Sequence, residues 1–242
     1  MRRLGAAAVA SVLGASLALA LEPSDVAYTY GVGTFVPAYA PPAPGTYELP
    51  PIRSLADHAV LDEEGDETTL RTLTSGRLAV VAFVYTTCVE AAGCPVSLGV
   101  LQRLDHAIAD DAELRGAVTL VAASFDPERD TPARMAAART RHTPAGDWRF
   151  VTTRDAAMLE PLLADFGQDA AKLRAADGSW TGLFRHVLKV FLVDRDGRVR
   201  NIYSVGFLHA ELVLNDLRTV LRAGDAQVRS DVRSDVRSDP VP

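Results

Sequence analysis

Cysteine is nearly absent. The 242 residues contain two, Cys88 and Cys94, both inside one short stretch. Two thiols leave room for one structural disulfide, one reactive dithiol or part of a metal site, and for no larger disulfide framework. There is no Cys-x-x-Cys, the spacing of thioredoxin-type redox pairs. No cysteine near the N-terminus is available to accept a lipid, since Cys88 is the first. Excess positive charge is also missing: the formal net charge is −6, so no global field favours nucleic acid or anionic lipid. The acidic run Asp62-Glu63-Glu64-Gly65-Asp66-Glu67 lacks the alternating ligand spacing of an EF-hand and is expected to be a solvated turn.

What is present begins with an address. Met1-Arg2-Arg3 is followed by an Ala/Leu/Val-rich run from Leu4 to Leu19 and by the small-x-small triplet Ala18-Leu19-Ala20. Residues 1–20 therefore predict a signal peptide and a periplasmic or otherwise exported protein. The alternative is an uncleaved inner-membrane anchor facing the periplasm, although the run is short of the roughly 20 residues that span a bilayer. Membrane contact is expected only if this segment is retained. Residues 21–50, rich in Pro and Ala, predict a linker or an arm lying over the surface, with Tyr28, Tyr30, Tyr39 and Tyr47 able to pack on the domain. At the other end, Val-Arg-Ser-Asp occurs three times between Val228 and Asp239. With so few apolar residues, 225–242 is predicted to be a disordered tail.

Between them, residues 51–224 predict one α/β domain. A hairpin (59–61 with 68–70) precedes the apolar run Leu78–Val84, which ends in the cysteine loop; Pro95 then opens a helix with Leu98, Leu101, Leu104 and Ile108 at helical spacing. A second buried strand covers 117–125. Thr131 is placed to cap a helix starting at Pro132. A short strand (148–151) and a helix from Asp155 to Phe166, stopped by Gly167, form an insertion. Strand 187–193, the turn Asp194–Gly197, strand 199–205 and a helix over 209–222 complete the order βαβα, strand and helix, ββα. Parallel βαβ followed by an antiparallel hairpin and a last helix is the thioredoxin-like arrangement.

The chemistry gathers at the loop Cys88-Val89-Glu90-Ala91-Ala92-Gly93-Cys94-Pro95. Cys94 is expected at the N-cap of the following helix, where free amides and the helix dipole favour a thiolate. Two thiolates on one loop suit Cu(I), or form a dithiol that cycles with a disulfide. His186 is the candidate third ligand, because the strand it is expected to begin runs antiparallel beside the cysteine strand. A polar residue at a strand edge is its plain alternative. His58, His106, His142 and His209 are expected at the surface.

Three strings, Phe83-Val84-Tyr85-Thr86-Thr87-Cys88 with Cys94-Pro95, Ser124-Phe125-Asp126-Pro127-Glu128-Arg129-Asp130-Thr131-Pro132, and Arg185-His186 ahead of Val190-Phe191-Leu192-Val193-Asp194-Arg195-Asp196-Gly197, resemble the Sco/SenC family over roughly residues 49–222. The resemblance implies a thioredoxin-fold copper protein that assists assembly of the copper centre of cytochrome oxidase. Copper would be bound by Cys88, Cys94 and His186, and the partner would be a copper-receiving client, an oxidase subunit. The chain departs from the family's Cys-Pro-x-x-Cys-Pro loop: five residues separate its cysteines, and Val89 stands where the first proline would be. The enzymatic alternative is a thiol–disulfide oxidoreductase using Cys88 and Cys94. A thioredoxin-fold peroxidase would need Thr and Pro where Tyr85 and Val81, or Ala91 and Thr87, stand. A loop merely stapled by a disulfide is the third reading.

Overall fold

A computed structural model describes residues 42–74, 76–89, 93–204 and 207–238, with side chains of the last helix described to residue 227. The expected signal peptide and most of the expected arm, residues 1–41, lie outside the described residues. The elements are β1 (Arg53–Ser54), β2 (Ala59–Leu61), β3 (Glu67–Thr69), α1 (Leu70–Thr74), β4 (Leu78–Val84), α2 (Cys94–Asp110), β5 (Val118–Ser124), α3 (Pro132–His142) and β6 (Trp148–Val151). They continue with α4 (Ala156–Phe166), β7 (Ala170–Arg174), β8 (Trp180–His186), β9 (Lys189–Val193), β10 (Arg198–Ser204) and α5 (Ala210–Ser238).

The main sheet has the order β1-β10-β9-β4-β5-β6. β4, β5 and β6 are parallel, and β9 and β10 return antiparallel on the other side of β4. Every residue of β4 and β5 is buried, as expected of strands covered on both faces. Side chains alternate across the sheet, so Phe83 lies on one face against Phe166 of α4 and Phe191 of β9, at 5.2 and 6.0 Å between ring centroids. The helix ends follow their local signals: Thr131 and Asp155 accept amides of Arg134 and Met158, and Gly167 closes α4 at φ +64°.

The described end of the arm, from residue 42, touches the domain. Gly45 N–H donates to Thr219 Oγ1 (3.0 Å), and Arg222 donates to Pro44 O (2.9 Å). Tyr47 O–H donates to Asp216 at 2.5 Å. Asp216, a buried residue of α5, also accepts Tyr203 O–H (2.6 Å) and Asn201 Nδ2 (2.8 Å). Burial, then the neighbouring Asp216 charge, raises the Tyr203 phenol well above its ordinary pKa, so it remains a donor.

Several elements differ from the sequence expectation. α5 was expected to end near Arg222 with a disordered tail from 225; it runs on to Ser238. No proline interrupts the chain between Ala210 and Asp239, and Asp225 is held by Arg195 at 2.9 Å. The β7–β8 hairpin was not foreseen, because both strands are half-exposed and carry no clean alternation. It is fastened by tertiary contacts: the Arg129 guanidinium stacks 3.6 Å above Trp180, and Lys172 pairs with Glu128 at 2.5 Å. His186 consequently ends β8, and the next strand starts at Lys189. In the acidic turn Glu63 is not solvated; it accepts Phe150 N–H (2.8 Å) and pairs with Arg139.

Asp216→Ala is expected to strand the buried Tyr203 hydroxyl and lower unfolding stability by about 2–3 kcal/mol. Tyr47→Phe removes one bond and should cost about 1 kcal/mol. Urea denaturation of both variants checks the ranking.

Candidate metal centre

The site is built where β4 and β5 end side by side. Asp130, fully buried, accepts Thr86 N–H at 2.9 Å, the Thr86 hydroxyl, and Ser124 Oγ at 2.7 Å. One carboxylate thus ties the root of the cysteine loop to the last residue of β5. Its neighbour Asp126 is also buried, and burial followed by the Asp130 charge raises its pKa. Cys88 follows in a tight turn, its N–H donating to Tyr85 O at 3.2 Å.

Cys94 is buried (2% exposed) and Cys88 half-buried; neither is in a disulfide. The structure corrects the expected cap: Gly93 is the N-cap of α2, and Cys94 is already the first helical residue, with Pro95 behind it. The electrostatic consequence is reversed as well. The Cys94 thiol is hydrogen-bonded to Cys88, and that bond, then burial, then the Cys88 charge, push its pKa well above the ordinary thiol range. The backbone amides of Tyr85 and Cys94 pull the other way and do not prevail. The two thiols are therefore a hydrogen-bonded, proton-holding pair.

His186 lies apart from them. Its Nδ1 is 3.2 Å from Phe184 O, and its ring packs on Phe125 (4.9 Å) and edge-on to Tyr85 (6.1 Å). The cysteines instead line a cavity of about 70 Å³ shared with Val84, Leu98, Met135 and Phe150, which His186 does not line. Tyr85 belongs to both settings. Among the described residues, no three His, Cys, Asp or Glu side chains stand close enough to hold a metal ion. The structure brings Cys88 and Cys94 together and leaves His186 beyond them.

The other histidines are placed as follows. His58 pairs with Asp165 at 2.7 Å, and His106 faces Gln102. His209 stands just ahead of α5. His142, expected in a loop at the surface, is the last residue of α3 and stacks against Trp148 and Phe150. It lines the cysteine cavity, and burial, then Arg141, lowers its pKa. Asp130 and Met135 were not singled out from the sequence. For Asp130 the signal was there, a carboxylate ahead of a Thr-Pro helix start and six residues after Ser124.

Two adjacent sulfurs in a small cavity, which Thr86, Arg141 and His142 also line, suit a soft ion of low coordination number, or a dithiol–disulfide couple. Asp130→Ala should leave the Thr86 amide and two hydroxyls unpaired, lower stability by about 2–3 kcal/mol and speed Cys94 alkylation. Thermal unfolding and a timed thiol-modification assay measure both effects; an unchanged alkylation rate contradicts the role given to Asp130.

Comparison with known proteins is consistent with this geometry. A family model described as SCO1/SenC matches residues 51–222. The structure of Bradyrhizobium japonicum ScoI, which has copper bound, is 26% identical with a TM-score of 0.56, covering 69% of this chain and 99% of that one. Arabidopsis thaliana ScoI, also with copper bound, is 17% identical with a TM-score of 0.59 over 71% of this chain and 99% of its own. A SCO1/SenC family lipoprotein from Bacillus anthracis str. Ames is 22% identical with a TM-score of 0.58, over 70% and 96%. No curated protein matches the chain. The matched region runs from just ahead of β1 into α5, through every element of the thioredoxin-like sheet, and the chain belongs to the SCO1/SenC family.

Proposed function

We propose that this protein is an exported copper metallochaperone that assists assembly of the copper centre of a respiratory oxidase. The observation that carries the reading is the contact between the Cys88 and Cys94 thiols at the end of the central parallel strand, in a chain of this family. The copper bound to ScoI of Bradyrhizobium japonicum supports the same cargo here. Thiolates are soft donors and favour Cu(I). His186 is the ligand proposed from the other side. It ends a hairpin attached through Arg129, Lys172 and Trp180, and movement of that hairpin relative to Tyr85 would bring the imidazole to the sulfurs. Before binding, the thiols surrender their protons to solvent; no electrons move, and Cu(I) is passed to a client whose ligands compete for it.

The direct contact of the two thiols also favours a second reading, a thiol–disulfide oxidoreductase acting on cysteines of a copper-protein client. In that reaction one thiolate attacks a client disulfide, the second resolves the mixed disulfide, and two electrons pass to the client as Cys88 and Cys94 become a disulfide. Export is proposed from residues 1–20. No helix among the described residues is long and apolar enough to cross a membrane.

A competitive Cu(I) titration tests the first reading. Wild type is expected to bind one Cu(I). Cys88→Ser or Cys94→Ser should abolish tight binding, because a protonated hydroxyl replaces a soft donor, and prior oxidation to the disulfide should abolish it too. His186→Ala should cost less for Cu(I), which tolerates two sulfur ligands, and more for Cu(II), which prefers nitrogen-containing tetragonal sites. Metal-free protein that reduces client disulfides with turnover would favour the second reading. Mass spectrometry of the mature N-terminus, expected after Ala20, tests export.

A further inference from the structure

Charge is unevenly distributed around the cysteine cavity. The chain has a formal net charge of −6, and many of its arginines are neutralised by carboxylates. Asp147 pairs with Arg77 and Arg149, and Asp194 with Arg198 and Arg200. α3 is different. Its sequence, Pro-Ala-Arg-Met-Ala-Ala-Ala-Arg-Thr-Arg-His, holds arginines at 134, 139 and 141, a terminal histidine and no carboxylate. Arg139 is paired, with Glu63 at 3.4 Å. Arg134 and Arg141 are exposed, and among the described residues neither guanidinium is held by a carboxylate or a hydrogen bond.

These two arginines stand seven residues apart, so they project from one face of α3, about 10 Å apart along its axis. Arg141 lines the cavity that Cys88 and Cys94 line, and Arg134 sits beside the lining residues Met135 and Ala138. The facing wall is α2. Its Gln102 donates to His142 O at 2.7 Å, and His106 lies 3.3 Å from the Gln102 amide. Asp105, the carboxylate of that wall, is buried and taken up by the Ala145 and Gly146 amides. Burial, then the Arg141 charge, lowers the His142 pKa, so the field of this arginine reaches the cavity wall. The more accessible thiol is Cys88, followed by Val89 at 80% exposure. Glu90, between the cysteines, lies outside the described residues.

We propose that the α2–α3 face beside the dithiol is a docking surface for a protein partner that presents acidic side chains. Carboxylates of the partner pair with Arg134 and Arg141 while its cysteines meet Cys88. The inference rests on the reading above that a client comes to the dithiol, and it names the chemistry of that client's surface. Arginine suits the role, since its planar fork takes a carboxylate through two parallel hydrogen bonds. The sign of the charge also orients the encounter. An acidic partner is repelled by the chain's net charge and attracted at this face, which turns it toward the cysteines. Pairs of this kind are screened, so the preference should fade as salt is added.

The test uses the reduced, metal-free full-length protein and two coloured disulfides, dianionic dithiobis(nitrobenzoate) and neutral dithiodipyridine. With either, one thiolate displaces an aryl thiol and the other cysteine displaces the second. The Cys88–Cys94 disulfide forms, and the two thiol protons pass to solvent or to the leaving thiols. The double variant Arg134→Glu, Arg141→Glu should react about tenfold more slowly with the anionic probe at low salt and unchanged with the neutral one. In about 0.5 M salt the difference should vanish. Arg134→Gln with Arg141→Gln should give a smaller effect of the same sign, and both variants should melt like wild type, because the arginines are exposed. Hexaglutamate peptide should protect the wild-type dithiol from the neutral probe, whereas hexalysine should not. Equal slowing of both probes would show that the arginines act on the thiols themselves and defeats the proposal, as does no slowing of either. A response to the small dianion without protection by hexaglutamate defeats the docking of an acidic protein. No copper is present in these assays, so the Cu(I) titration can fail while the charge preference stands, and the reverse.

Discussion

The buried carboxylate of Asp130 is the constraint on which the site depends. β4 and β5 must end in register for their loops to converge, and parallel strands offer no tight turn to enforce this. Asp130 supplies the cross-link, taking the Thr86 amide and hydroxyl from one strand end and the Ser124 hydroxyl from the other. A buried carboxylate is costly unless its lone pairs are used, and here three donors use them. The same residue immediately precedes the Thr131 cap of α3, so the position of Met135 is set from the same point as the cysteine loop.

Tyr85 divides what that cross-link organises. Strand alternation continues from Phe83 to Tyr85, carrying the ring into the aromatic layer of Phe125, Phe184 and His186. Val84 points to the other face, into the space lined by the cysteines and Met135.

Much of this was legible in the chain because the signals are local. The apolar runs at 78–84 and 118–124, the Thr131–Pro132 start, the Asp155 and Gly167 ends of α4 and the turn at Gly197 each declare an element within a few residues. The nearness of Cys88 to Cys94 follows from a short loop. The misses share one cause, dependence on distant partners. β7 and β8 are held by Arg129 and Glu128 from another loop, and Glu63 turns inward because Phe150 and Arg139 wait there. Cys94 seemed placed for a helix-stabilised thiolate, yet its Cys88 partner and its burial outweigh the helix amides. His142 enters the cavity because α3 ends against β6, and no spacing rule announces that.

On the copper reading proposed above, the Cys88–Cys94 pair holds its proton until a soft metal displaces it. Because the Cys94 pKa is raised, the thiol is protonated throughout the neutral range, and binding must become stronger as pH rises. Calorimetric Cu(I) titration in buffers of different ionisation enthalpy measures the released protons directly. The account predicts at least one proton released per copper near neutral pH, with affinity rising about tenfold per pH unit for each proton displaced. Cu(I) binding with no proton release and no pH dependence would contradict it.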